Sequence, residues 1–99
     1  MILAHAILDV DAAETADYEA ALIEALPFIT ATPGFMRLEI RPCLETLGRY
    51  LLLVEWRELE DHTVGFRNSD RYQKWKSLLH RFYNPFPLVE HFGKPIVTG

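Results

Sequence analysis

A single cysteine, Cys43, among 99 residues excludes an internal disulfide, so nothing ties the chain to an oxidising compartment. No apolar run approaches the roughly 20 residues that a membrane-spanning helix needs. The longest, Tyr50 to Val54, has the length of a strand. Positive charge is also scarce: ten Lys and Arg stand against fourteen Asp and Glu, a formal net charge of -4 with a pI near 5.5. That balance supplies no field to displace counterions from a phosphate backbone, which argues against nucleic acid as a partner. The first ten residues contain Asp9 and no basic stretch, so neither a signal peptide nor a membrane anchor is indicated and a cytoplasmic location is expected. None of the five glycines forms a Gly-rich loop after a strand, and Gly-x-Ser-x-Gly does not occur. The phosphate-loop, dinucleotide and nucleophile-elbow signatures are therefore missing.

What remains is the make-up of an ordinary globular protein, 49% hydrophobic and 24% charged, with aromatic residues at 12%. The length suits one domain, residues 1–99, with no repeat or linker. Met1 to Asp9 is an apolar run that fits a strand with both faces covered. Asp11 to Ile29 fits a helix, with Asp11 capping it, Glu14 three residues on, and Tyr18, Leu22, Ile23 and Leu26 at helical spacing. Pro27 is expected to end or kink that helix. Thr32-Pro33-Gly34 marks a turn, after which Phe35 to Pro42 alternates, Met36, Leu38 and Ile40 facing away from Phe35, Arg37, Glu39 and Arg41. Glu45 to Gly48 reads as a hairpin turn into Arg49 to Trp56, a strand apolar on both faces.

From Leu59 the period becomes helical, and Leu59, His62, Thr63 and Phe66 share one side of two turns. Asn68-Ser69-Asp70 interrupts it, Ser69 or Asp70 capping a second segment whose Tyr72, Trp75, Leu78, Leu79 and Phe82 form a stripe. Asn84-Pro85-Phe86-Pro87 stops this segment, and Leu88 to Phe92 is a last short strand. The order β-α-β-β-αα-β predicts an α+β, ferredoxin-like fold: one antiparallel sheet with helices on one side. Leu51 and Leu53 would then place apolar bulk on the uncovered side, which a second copy of the chain is the simplest means of covering.

The Leu-Leu-Val-Glu-Trp strand, the segment His62-Thr63-Val64-Gly65-Phe66-Arg67, then Ser69, Tyr72, Trp75, Leu79 and the closing Val89-Glu90-His91-Phe92 resemble the antibiotic biosynthesis monooxygenase family. The resemblance implies a homodimer whose paired sheets make a dimeric α+β barrel. It also implies oxidation of a small aromatic, a quinol, phenol or anthrone, by dioxygen with no flavin or metal. In such chemistry the protein deprotonates the ring, and the anion itself reduces oxygen. Haem-degrading relatives share the fold, but Phe66 stands where their tryptophan falls and Lys76 where their ligating histidine falls, and a protonated lysine cannot ligate iron. A small-molecule-binding dimer without turnover, and an isomerase or lyase of the same superfamily, are the alternatives.

Among candidate site residues His62 comes first, as a polar tip on an apolar helix face. It is either hydrogen-bonded to backbone or to a strand carboxylate such as Glu55, or it is a base or donor to a substrate oxygen with a pKa near neutrality. Tyr72 could donate its hydroxyl to the same oxygen. Phe66, Trp75, Leu79 and Phe82 are candidate walls for a planar ring, although such a stripe is more often core, and Trp56 is a candidate for the pocket mouth or the dimer edge. His5 and His91 lie on terminal strands, yet no metal-ligand spacing accompanies them. His80 is expected on a solvated face, and Cys43 as a buried, inert thiol.

Overall fold

The computed structural model describes residues 1–99. Its elements are β1 (Ile2–Asp9), α1 (Thr15–Thr30), β2 (Phe35–Pro42), β3 (Arg49–Trp56), α2 (Asp70–Leu79) and β4 (Glu90–Phe92). A π-helical turn occupies Asp61–Phe66, and single 3-10 turns occupy Ala12–Glu14 and His80–Phe82. The four strands form one sheet in the order β2-β3-β1-β4, every neighbouring pair antiparallel. Both helices pack on the same face, which is the ferredoxin-like arrangement expected from the order of elements.

Strand pairing follows from alternation. Tyr50, Val54 and Trp56 of β3 are buried toward the helices together with Ala4, Ala6 and Leu8 of β1, in the register Ile2↔Trp56 through Asp9↔Arg49. In β2 the alternation is broken by a bulge between Phe35 and Arg37. Phe35 thus joins the face of Leu38 and Ile40 and meets Trp56 edge-on at 5.9 Å, while Met36, expected on that face, is turned out to solvent. A bulge inserts one unpaired residue and so exchanges faces, which strict alternation cannot anticipate.

Two turns need glycine. Gly34 and Gly48 both have φ of 88°, where a side chain is disfavoured, and a Cβ on Gly48 would run into the Val10 carbonyl. That close approach lets Val10 N–H donate to the Gly48 carbonyl at 2.8 Å and fixes the hairpin beneath β1.

Helix α1 departs from expectation in three ways. Asp11 does cap the segment, its Oδ1 accepting from Ala13 N–H at 2.9 Å, but a 3-10 turn intervenes and the regular helix begins at Thr15. Pro27 neither ends nor breaks it, since the helix runs on to Thr30. Its buried stripe is Tyr18, Ala21, Ala25 and Ile29, whereas Ile23 and Leu26 point outward. Small side chains let the helix approach the core closely, so burial here tracks geometry rather than hydropathy. Leu59, expected to look toward the sheet, is likewise exposed. Helix α2 is capped by Ser69, whose Oγ accepts from Tyr72 N–H at 3.2 Å.

β1 and β3 are covered on one face only. On the other, Leu3, Leu51 and Leu53 are half-buried and Ile7 is exposed, bordered on β2 by Arg37, Glu39 and Arg41. Those charges pair along their own strand, Arg41 with Glu39 at 2.7 Å and Arg37 with Glu39 at 3.5 Å. No helix is long and apolar enough to cross a membrane.

Candidate functional site

Between the helices and the β1/β4 side of the sheet lies a cavity of about 440 Å³. Part of its floor is shallow in side chain, because β1 presents Ala4 and Ala6, both buried, there beside the larger Leu8. Walls rise from the helical side through Phe66, Tyr72 and Trp75, and the stretch from Phe86 to Val89 closes across before β4 begins. That stretch is held at its start by Asn84 N–H donating to the Asp9 carbonyl at 3.0 Å and by the Val10–Tyr83 bridge. The hollow is of the size and largely apolar character of small-molecule sites.

His62 stands in this wall. The turn that carries it is π-helical, Arg67 N–H reaching back five residues to the His62 carbonyl at 3.2 Å. Such widened turns recur at functional sites. The imidazole lies flat on the indole of Trp56, with centroids 5.0 Å apart and planes 4° from parallel. Its Nδ1 is 2.8 Å from Nε2 of His91, a hydrogen bond whose direction is set by the tautomers of the two rings. Pairing of Ala4 with His91 in the β1–β4 ladder is what turns His91 to the helix side. The partner of His62 is therefore a histidine of the closing strand, not backbone and not Glu55, which lies on the opposite face of the sheet.

The Nε2 of His62 makes no hydrogen bond. It is not sealed either, because Trp56 Nε1 is the one fully buried side-chain nitrogen or oxygen without a partner. As His62 lines the cavity, Nε2 is the atom left to a ligand. Burial, with Arg67 and His91 adding to it, drives the His62 pKa down to about 3 rather than leaving it near neutrality. Burial also lowers His91 and His80, with Arg67 contributing to the first and Lys76 to the second. At pH 7 the pair is two neutral imidazoles that share one hydrogen bond.

Of the other residues singled out in the sequence, Phe66, Tyr72 and Trp75 line the cavity, Phe66 meeting both rings edge-on at 5.4 and 6.0 Å. Leu79, Phe82 and Trp56 do not: all three are sealed in the core, Trp56 beneath the imidazole rather than at a mouth or edge. The stripe to which Leu79 and Phe82 belong turns away from the hollow as it passes into the 3-10 turn. Sequence reasoning missed Arg67, His80 and Tyr83. His80 was expected in solvent, but the same turn brings its ring against Tyr72, Tyr83 and Phe86. Tyr83 hydrogen-bonds Tyr18 through their hydroxyls at 2.9 Å. His5 meets Phe92 edge-on at 5.7 Å. Lys76 is exposed on α2, and Cys43, expected to be buried, is partly exposed at the hairpin with its Sγ 3.7 Å from Glu45 Oε1. No group of three metal-ligating side chains gathers anywhere in the chain.

The depressed His62 has a consequence for stability. An unfolded histidine takes up a proton near 6.5, whereas folded His62 resists it down to about 3. Its contribution is intact above pH 6.5 and is lost as pH falls through this window. Between pH 6.5 and 4 the protein should lose on the order of 2–3 kcal/mol more unfolding free energy than a His62→Leu variant, which has no proton to gain there. Denaturant melts of both at the two pH values test this, and parallel losses would refute it.

The antibiotic biosynthesis monooxygenase model matches residues 1–78. YczJ of Bacillus subtilis strain 168 is 48% identical over 92 residues, covering 93% of this chain and 97% of that protein. Among solved structures, a Bordetella bronchiseptica protein assigned to the same group superposes with a TM-score of 0.89 at 29% identity, covering 96% of this chain and 97% of its own. SnoaB of Streptomyces nogalater, a cofactor-independent oxygenase, superposes with a TM-score of 0.82 over 97% of this chain and 94% of its own. At 14% identity it shares the fold alone.

Proposed function

Because the chain belongs to the antibiotic biosynthesis monooxygenase family, we propose that it oxidises a small aromatic hydroxy compound, of the quinol, phenol or anthrone kind, with dioxygen and no cofactor, working as a homodimer. One observation carries this: a neutral imidazole, fixed at Nδ1 by His91 and free at Nε2, opens into an aromatic-walled cavity.

Dioxygen reacts slowly with closed-shell organic molecules but accepts an electron readily from an electron-rich ring that has lost a proton. The protein's task is to hold the ring, favour its anion and keep water out. An imidazole with a pKa of about 3 is a weak base, so His62 serves as a hydrogen-bond donor instead. With His91 Nε2–H donating to His62 Nδ1, Nε2 of His62 bears the proton and points it at the substrate oxygen as negative charge develops there. A neutral imidazole kept neutral for this purpose is a known catalytic device. Phe66, Tyr72 and Trp75 hold the ring, and the Tyr72 hydroxyl is a second donor. With an anthrone, one oxygen atom becomes the new ring carbonyl and the other leaves as water with the two hydrogens of the oxidised carbon.

The open sheet face supports the homodimer. Leu3, Ile7, Leu51 and Leu53 form a largely apolar patch around His5 with a charged border, the pattern of an interface core and rim. A two-fold partner on that face leaves the cavity, on the other side of the sheet, untouched.

Oxygen uptake with anthrone and a set of quinols is the direct test. One dioxygen should be consumed for each anthrone converted, at a rate proportional to protein concentration. Uptake no faster than the protein-free rate across the set would refute the oxygenase, and ligand retained without uptake would point to a binding protein.

A further inference from the structure

We propose that the cavity takes its aromatic ligand as an anion, with the Arg67 guanidinium as counter-ion, and that the ligand class is an aromatic carboxylate. This rests on the cavity described above but not on turnover.

The chain carries fourteen Asp and Glu against ten Lys and Arg, yet no carboxylate is among the residues that line the cavity. Arg67 is the only lysine or arginine there, beside three histidines, His5, His62 and His80, of which burial lowers the basicity of the last two. An acidic protein has thus lined this hollow with a guanidinium and no carboxylate.

Arg67 has no protein acceptor. Every ion pair in the structure is made by another arginine: Arg37 and Arg41 with Glu39, Arg49 with Asp9, and Arg57 with Asp61. Arg71 donates to Thr32 Oγ1 at 3.3 Å, and Arg81 lies over the Phe82 ring at 4.2 Å. Arg67 makes only its backbone bond to the His62 carbonyl, which sets it one π-helical turn along the same wall as the imidazole. Arg67 is half-buried and lines the cavity together with His62, and its charge contributes to the lowered basicity of His62 and His91.

A planar guanidinium presents its donors as a fork that matches a carboxylate in two parallel bonds, at a site where apolar walls reduce screening. Beside it the aromatic faces accept a ring. Charge and ring recognition together describe one ligand, an arene bearing an acid group, with the hydroxyl at His62 and the carboxylate at Arg67. A phenolate formed on the ring is the other source of the same charge, and the two separate by experiment, because a carboxylate is ionised before it binds.

Titration calorimetry at pH 7 and low salt, without oxygen turnover, compares 2-naphthoate, naphthalene-2-carboxamide and 2-naphthol, which share a ring and differ in charge. Naphthoate should bind at least tenfold tighter than either neutral compound. Arg67→Gln should abolish that preference while retaining carboxamide affinity, and Arg67→Lys should keep part of it. Equal affinity for naphthoate and carboxamide, a preference surviving in Arg67→Gln, or no binding of naphthoate at millimolar concentration would each overturn the proposal. Tighter binding of 2-naphthol would overturn it in favour of a phenolate. None of these outcomes depends on oxygen uptake, so the oxygenase and the anion site can fail separately.

Discussion

Replacing His62 by leucine is expected to lower kcat for quinol or anthrone oxidation by about 10²–10³-fold, the usual cost of deleting one donor aimed at developing negative charge. Leucine is a fair shape substitute. It can lie on the Trp56 indole, which supports the imidazole at 5.0 Å, and it removes both ring nitrogens without removing bulk. The substitution also frees Nε2 of His91, a half-buried side chain between two exposed neighbours, which can turn to water. The fold should therefore survive, with KM changing less than kcat, since ring binding rests on Phe66, Tyr72 and Trp75. Initial rates of oxygen uptake, with circular dichroism to establish folding, decide the matter. An unchanged kcat in a folded variant would remove His62 from the mechanism and leave Tyr72 and Arg67 as the polar groups to examine.

A Leu51→Asp, Leu53→Asp double variant is expected to convert the whole population from dimer to monomer. Full burial of a leucine contributes about 1.5–3 kcal/mol. Two-fold symmetry makes each substitution count twice, and an aspartate facing an apolar partner adds a desolvation cost that Arg41, the cross-strand neighbour of position 51 and already paired with Glu39, offsets only in part. Sedimentation equilibrium should give twice the 11.5 kDa chain mass for the unaltered protein and the chain mass for the variant. The substituted side chains lie on the face away from the helices, so the monomer should still fold, if less stably. An unaltered protein that sediments as a monomer at tens of micromolar would refute the dimer, whatever the variant does.

Much of the fold was legible because alternation and periodicity are local. β2 and β3 were placed to the residue, and the turn before α2 gave its cap, since strand pleat and Ser69 capping depend on neighbours in sequence. The bulge after Phe35 was not legible, because it is decided by the partner strand. Nor was the buried stripe of α1, because Ala21 and Ala25 are buried for their small size and hydropathy alone favoured Ile23 and Leu26. At the site, His62 was conspicuous as a polar residue at an apolar position. Its partner was not, because His91 reaches it only through the pairing of the first and last strands, across the whole chain. Arg67 drew no role in the sequence, and only its place in a cavity lining without a carboxylate gives it meaning. The low basicity of His62 is likewise a property of its surroundings.

Ala4 and Ala6 have a last consequence. Two methyl groups on β1 leave room at the floor of the hollow, whereas its polar equipment comes from the segment after β3, with His91 of β4 behind His62. Capacity and reactivity are thus encoded far apart in the chain. A lineage could admit a larger or smaller guest by exchanging side chains at positions 4 and 6 while inheriting its histidines and arginine unchanged, so that breadth of diet and type of chemistry can diverge on separate schedules.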